Sequence, residues 1–173
     1  MALRDQRVAG SLVLIEPMLA PLLAAAGDAA AFADYKAVAD RFLDAVAVGD
    51  VERAWSDFVD YRNGAGTWAR LSEGRRARFV AGTQGAIGAF RANLANPTSL
   101  DDVRAIHVPT TIVCGGMTTT PDRRVTEILH EAMGHSRLEV VPGAEHMSPL
   151  THPDPVAALI RQHCLANPLQ PDA

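Results

Sequence analysis

The stretch Leu138–Pro153, Leu-Glu-Val-Val-Pro-Gly-Ala-Glu-His-Met-Ser-Pro-Leu-Thr-His-Pro, decides how this chain is read. Residues 137–141 predict a short apolar strand, and Pro142-Gly143 closes it with a turn. His146 follows on the loop, and Val156, Leu159 and Ile160 then recur at helical spacing, predicting a helix over residues 155–164. A strand that passes through a loop into a helix is the repeating unit of an α/β sheet. Such sheets carry their chemistry in the loops at the carboxyl ends of strands. His146 lies in such a loop, which makes it a candidate general base. His152, just before Pro153, is expected to cap or pack the last helix.

The same pattern extends upstream. Thr110–Cys114 is an apolar run closed by Gly115-Gly116, and residues 122–133 predict a helix with Val125, Ile128, Leu129 and Ala132 inward. Near the start, Ser11–Ile15 is another continuous apolar run, ended by Glu16-Pro17. Runs without polar alternation fit strands buried on both faces, as in parallel sheets. Strands separated by helices pair in parallel through crossovers.

Residues 28–97 break this alternation. Asp28 is placed to cap a helix over residues 29–48, Asp50 a second to about residue 62, and Ser72 opens a third that runs to about residue 94. No strand signal interrupts them. An insertion of this length is too long for a simple crossover and is expected to stand above the sheet as a lid. A short helical connection over residues 100–107 leads back to the sheet. The fold class is therefore α/β: a partial, parallel three-stranded sheet flanked by helices, with an all-helical cap insertion. Residues 1–27 and 98–166 form the partial core, 28–97 the cap and 167–173 a flexible tail.

Composition narrows the partners. A net charge of −4 argues against a nucleic-acid surface, and the basic cluster Arg75, Arg76 and Arg78 reads as a solvated helix face. Cys114 and Cys164 lie far apart in sequence and are expected as free thiols in a reducing cytoplasm. No apolar run is long enough for a bilayer, and no charged segment followed by a long apolar one opens the chain, so neither membrane nor secretion is expected. His130 and His135 do not make a zinc motif, because five residues of helix turn them about 140° apart. Gly134-His135-Ser136-Arg137-Leu138 lacks the last glycine of a nucleophile elbow and precedes a strand instead of a helix. No metal or cofactor is expected.

Three segments, Leu12–Pro17, Val108–Gly116 and Val140–Pro153 with its following helix, resemble the last three strands of an α/β-hydrolase-fold enzyme. The segment Asp60-Tyr-Arg-Asn-Gly64 with Trp68 is similar to the cap of one bacterial branch of these enzymes. The resemblance implies that His146 is the base that activates a serine nucleophile, with a small-molecule acyl substrate or ligand in a lid-covered cleft. It also implies that the Gly-x-Ser-x-Gly elbow belongs before residue 1, with Ala2–Val8 as the end of the helix that follows it. The chain is then expected to be a hydrolase truncated before its nucleophile and inactive alone. The usual acid position after the second of these strands holds Thr118, which carries no charge. The acid is expected to be Glu16, at the end of the first strand, with Asp122 as the alternative. Two other readings remain: a non-catalytic binding module, and one half of a split hydrolase completed by another chain. The unpaired edge of the first strand leads to an expected homodimer or complementary chain.

Overall fold

A computed structural model of the chain describes residues 9–168. Ala2–Val8, read as the end of a preceding helix, and residues 169–173 of the tail lie outside this range. The elements begin with β1 (Leu12–Ile15), α1 (Ala20–Ala25), α2 (Ala29–Ala47), α3 (Val51–Asn63), α4 (Thr67–Arg70), α5 (Glu73–Ala81) and α6 (Thr83–Leu94). They continue with α7 (Leu100–Arg104), β2 (Thr110–Gly115), α8 (Thr120–Met133), β3 (Arg137–Val141), α9 (Ser148–Thr151) and α10 (Pro153–Ala166). Two compact units result. One joins the segment up to Met18 with that from Thr98, and the other is Leu19–Pro97.

The first unit holds the sheet, in the order β1-β2-β3 with both pairs parallel. Leu12 faces Thr110 and Ile15 faces Val113, while Thr111 faces Arg137 and Gly115 faces Val141. All six residues of the central β2 are buried, which explains its unbroken apolar run. The period of two sorts its side chains between two faces. Val113 packs with Val141, Ala144 and Val156 of α10, flanked by Val13, Ile15 and Leu159. On the other side the Cys114 thiol lies beside Thr126 of α8, whose Val125, Ile128 and Leu129 are buried. The sheet is thus covered by α10 on one face and α8 on the other.

α10 corrects one expectation. Val156 is buried and Leu159 half-buried, but Ile160 is 37% exposed. The inward stripe runs 156, 159, 163. Its last member, His163, is buried, and its Nδ1 lies 2.9 Å from Thr111 Oγ1. Burial, aided by the charge of Arg137, pushes the His163 pKa down and keeps the ring neutral. His152 stands at the N-cap of α10 without capping it; its ring pairs with Thr151 Oγ1 at 2.9 Å instead.

The second unit is all helix. Asp28 Oδ1 accepts from the Ala31 N–H and Asp50 Oδ1 from the Arg53 N–H, so both aspartates cap the helices they precede. Phe42 of α2 centres the core, with ring centroids 5.0 Å from both Trp55 and Phe90. The single helix expected over residues 72–94 is two helices, α5 and α6, meeting at Gly82. Thr83 explains the joint: its hydroxyl donates to the Val80 carbonyl at 2.6 Å and accepts from Trp55 Nε1 at 3.0 Å.

Candidate active site

Glu16 and His146 come from opposite edges of the sheet unit, one just after β1 and the other in the loop after β3. The sheet order puts both at carboxyl strand ends, with β2 between them. His146 Nδ1 lies 3.2 Å from Glu16 Oε2. The carboxylate is 3% exposed and the imidazole 25%. Nε2 of His146 has no hydrogen-bond partner among the described residues.

Three groups hold the Glu16 carboxylate. The Gly115 N–H donates to Oε1 at 2.5 Å, Thr118 Oγ1 donates to Oε2 at 2.8 Å, and His146 meets that same Oε2. Burial works to raise the Glu16 pKa. The bonds from His146, Gly115 and Thr118, with the His146 charge, outweigh it and hold the carboxyl below its ordinary value. The acid is therefore ionised at neutral pH although its carboxylate is buried. Thr118, read from sequence as a gap in the acid position, turns out to be a donor to the carboxylate that stands elsewhere.

Gly115 does two jobs. A Cβ built on it would stand 2.3 Å from the Ala144 carbonyl oxygen and 2.8 Å from that of Glu145. Contacts that close are with backbone, so no side-chain motion relieves them. Glycine here lets the His146-bearing loop press onto the end of β2, while its N–H grips Glu16. The Met117 N–H seals the contact by donating to the Ala144 carbonyl at 2.8 Å. The Gly115-Gly116 pair after an apolar strand was the available sequence signal for this close approach.

Asp122, the alternative acid, is also present. It is 1% exposed, its Oδ2 lies 3.8 Å from His146 Nδ1, and Thr119 Oγ1 donates to that oxygen at 2.7 Å. One ligand atom each from Glu16, Asp122 and His146 lies within 4.8 Å of the other two, a spacing that could hold a metal ion. Burial pushes the Cys114 thiol up, so it stays protonated as core. His130 and His135 take separate partners, Ser136 Oγ and the Met133 carbonyl.

A parallel half-sheet with a buried carboxylate and a histidine at its carboxyl edge, plus a helical insertion between the first two strands, defines a hydrolase-like α/β architecture. The profile of the Alpha/beta hydrolase family matches residues 1–159, and the chain belongs to that family. Among solved structures it is similar to NosK from Streptomyces actuosus, at 19% identity and a TM-score of 0.53, covering 96% of this chain and 62% of that one. It is likewise similar to proline iminopeptidase from Mycobacterium smegmatis, at 22% identity and a TM-score of 0.52, covering 95% of this chain and 61% of that one. The chain thus spans about three fifths of the length of these two structures. A comparison with curated proteins finds no match. Among the described residues no helix is long and apolar enough to cross a membrane.

Proposed function

We propose that this chain supplies the acid–base half of a serine-hydrolase-type site acting on esters or other acyl compounds. His146 is the general base and Glu16 the carboxylate that orients it. The observation that carries this reading is the 3.2 Å contact between His146 Nδ1 and an ionised, buried Glu16. With Nδ1–H donating to Glu16, the lone pair of Nε2 takes the proton of an attacking hydroxyl as its oxygen bonds to the acyl carbon. The imidazolium then passes that proton to the leaving group as the acyl bond breaks. Glu16 keeps its charge throughout and stabilises the imidazolium.

No Gly-x-Ser-x-Gly elbow occurs in the 173 residues. The nucleophile and the oxyanion donors are therefore assigned to residues outside them, on a preceding segment or a complementary chain that pairs with the free edge of β1. Each of these parts is worth orders of magnitude in rate, so the 173 residues alone are without turnover. The substrate is a small molecule.

The test is a serine-directed fluorophosphonate probe together with a p-nitrophenyl ester assay. The 173-residue chain is expected to remain unlabelled and to hydrolyse the ester no faster than free imidazole. Covalent labelling of this chain would sink the reading. So would ester hydrolysis that survives His146→Ala unchanged once an elbow-bearing segment is supplied.

A further inference from the structure

Building on that reading of His146, we infer that Asp122 is a second positioning carboxylate, a charge partner of His146 Nδ1 beside the hydrogen bond to Glu16. The two acids approach one nitrogen from two elements. Glu16 Oε2 is 3.2 Å away at the end of β1, and Asp122 Oδ2 is 3.8 Å away in the first turn of α8. Each oxygen is held by its own threonine: Thr118 Oγ1 on Glu16 Oε2 at 2.8 Å, and Thr119 Oγ1 on Asp122 Oδ2 at 2.7 Å. Consecutive residues thus fix the two carboxylates near the same imidazole nitrogen.

Helix capping accounts for part of this. The Asp122 N–H reaches Thr119 Oγ1 at 3.5 Å, and the start of a helix favours an anion. Capping does not require burial, however, and Asp122 is 1% exposed. The imidazolium formed when His146 takes a proton lies within ion-pair reach of both acids. A distance of 3.2 Å admits a hydrogen bond and 3.8 Å only a charge contact. Glu16 therefore holds the neutral ring, while Asp122 adds most once the ring is charged, and it takes over the Nδ1–H when Glu16 is removed.

Ring 15N shifts of His146 in the labelled 173-residue protein report which nitrogen carries the proton, without any need for turnover. Wild type is expected to be predominantly the Nδ1–H form. Glu16→Ala is expected to keep an Nδ1–H excess, and adding Asp122→Ala to reduce the Nδ1–H to Nε2–H ratio by about fivefold, the weight of one modest hydrogen bond. Should that double variant not fold, Asp122→Asn in the Glu16→Ala background keeps the shape and the Thr119 contact, and is expected to move the ratio the same way. This role of Asp122 is overturned if Glu16→Ala alone already gives the double-variant ratio, or if Asp122→Asn in wild type carries the whole effect while Glu16→Ala carries none. A wild-type ring without Nδ1–H excess would overturn the general-base reading itself, which separates the two failures.

Discussion

Glu16 holds its place against its own backbone. Its φ is 46°, the one positive value at a non-glycine among the described residues, in a region that costs about 1–3 kcal/mol. It also precedes Pro17, which restricts it further. What offsets this is the carboxylate: three donors meet it in a buried site, and bonds to a charged group are worth about 1.5–3 kcal/mol each. Thr118 is the donor that is easiest to remove without changing shape. Thr118→Val is expected to lower stability at pH 7 by about 1–2 kcal/mol. The sign of the pH dependence follows from the direction of the Glu16 shift. A carboxyl whose folded pKa is depressed adds stability above its unfolded value, near 4.3, and loses it as pH falls through the lower folded value. Thr118→Val removes part of that depression, so its deficit against wild type should narrow at pH 3. Urea denaturation of both proteins at pH 7 and pH 3 measures it, and an equal gap at both would show that the bond does not depend on the Glu16 charge.

At the scale of elements, the α5–α6 joint is a designed break built on one hydroxyl. Thr83 and Trp55 are both buried, and the Thr83 oxygen accepts from the indole N–H. Thr83→Val keeps the volume and leaves that N–H without its acceptor. The expected cost is about 1–3 kcal/mol in chemical denaturation, accompanied by a change in tryptophan fluorescence. A loss below about 0.5 kcal/mol would mean that the joint is set by Gly82 alone. The reason this break was not legible is physical. Helix periodicity runs straight through residues 72–94, and a single glycine lowers helix propensity by only about 1 kcal/mol. The capping aspartates Asp28 and Asp50 were legible because a cap acts on its own next turn. So were the three parallel strands, whose unbroken apolar runs follow from burial on both faces. The four-residue helices α4 and α9 were not, being too short for any period to register. At the site, the chain order placed Glu16 and His146 at strand ends. Which oxygen Thr118 serves, and that Gly115 admits the His146 loop, depend on contacts across more than 25 residues of chain, and residue type does not encode them.

For the sheet unit as a whole, the consequence of its topology is an open edge. β1 pairs with β2 alone among the described strands. The Leu12 N–H donates to the Pro109 carbonyl and the Glu16 N–H to that of Val113, so even-numbered N–H groups point at β2. By alternation, the N–H groups of Val13 and Ile15 point away from it, as a template for another strand. The 173-residue protein is therefore expected to self-associate through β1 or to capture a complementary strand there. Val13→Pro removes an outward N–H and leaves the bonds to β2 intact, which an edge strand tolerates. Leu12→Pro instead deletes the inward bond to Pro109 and should cost about 1–3 kcal/mol of stability. Light scattering after gel filtration separates these cases: wild type is expected as a dimer, Val13→Pro as a folded monomer, and Leu12→Pro as destabilised with its association edge retained. A Val13→Pro protein that stays dimeric would place the contact elsewhere. A wild type that is monomeric across micromolar concentrations would mean that the β1 edge is blunted.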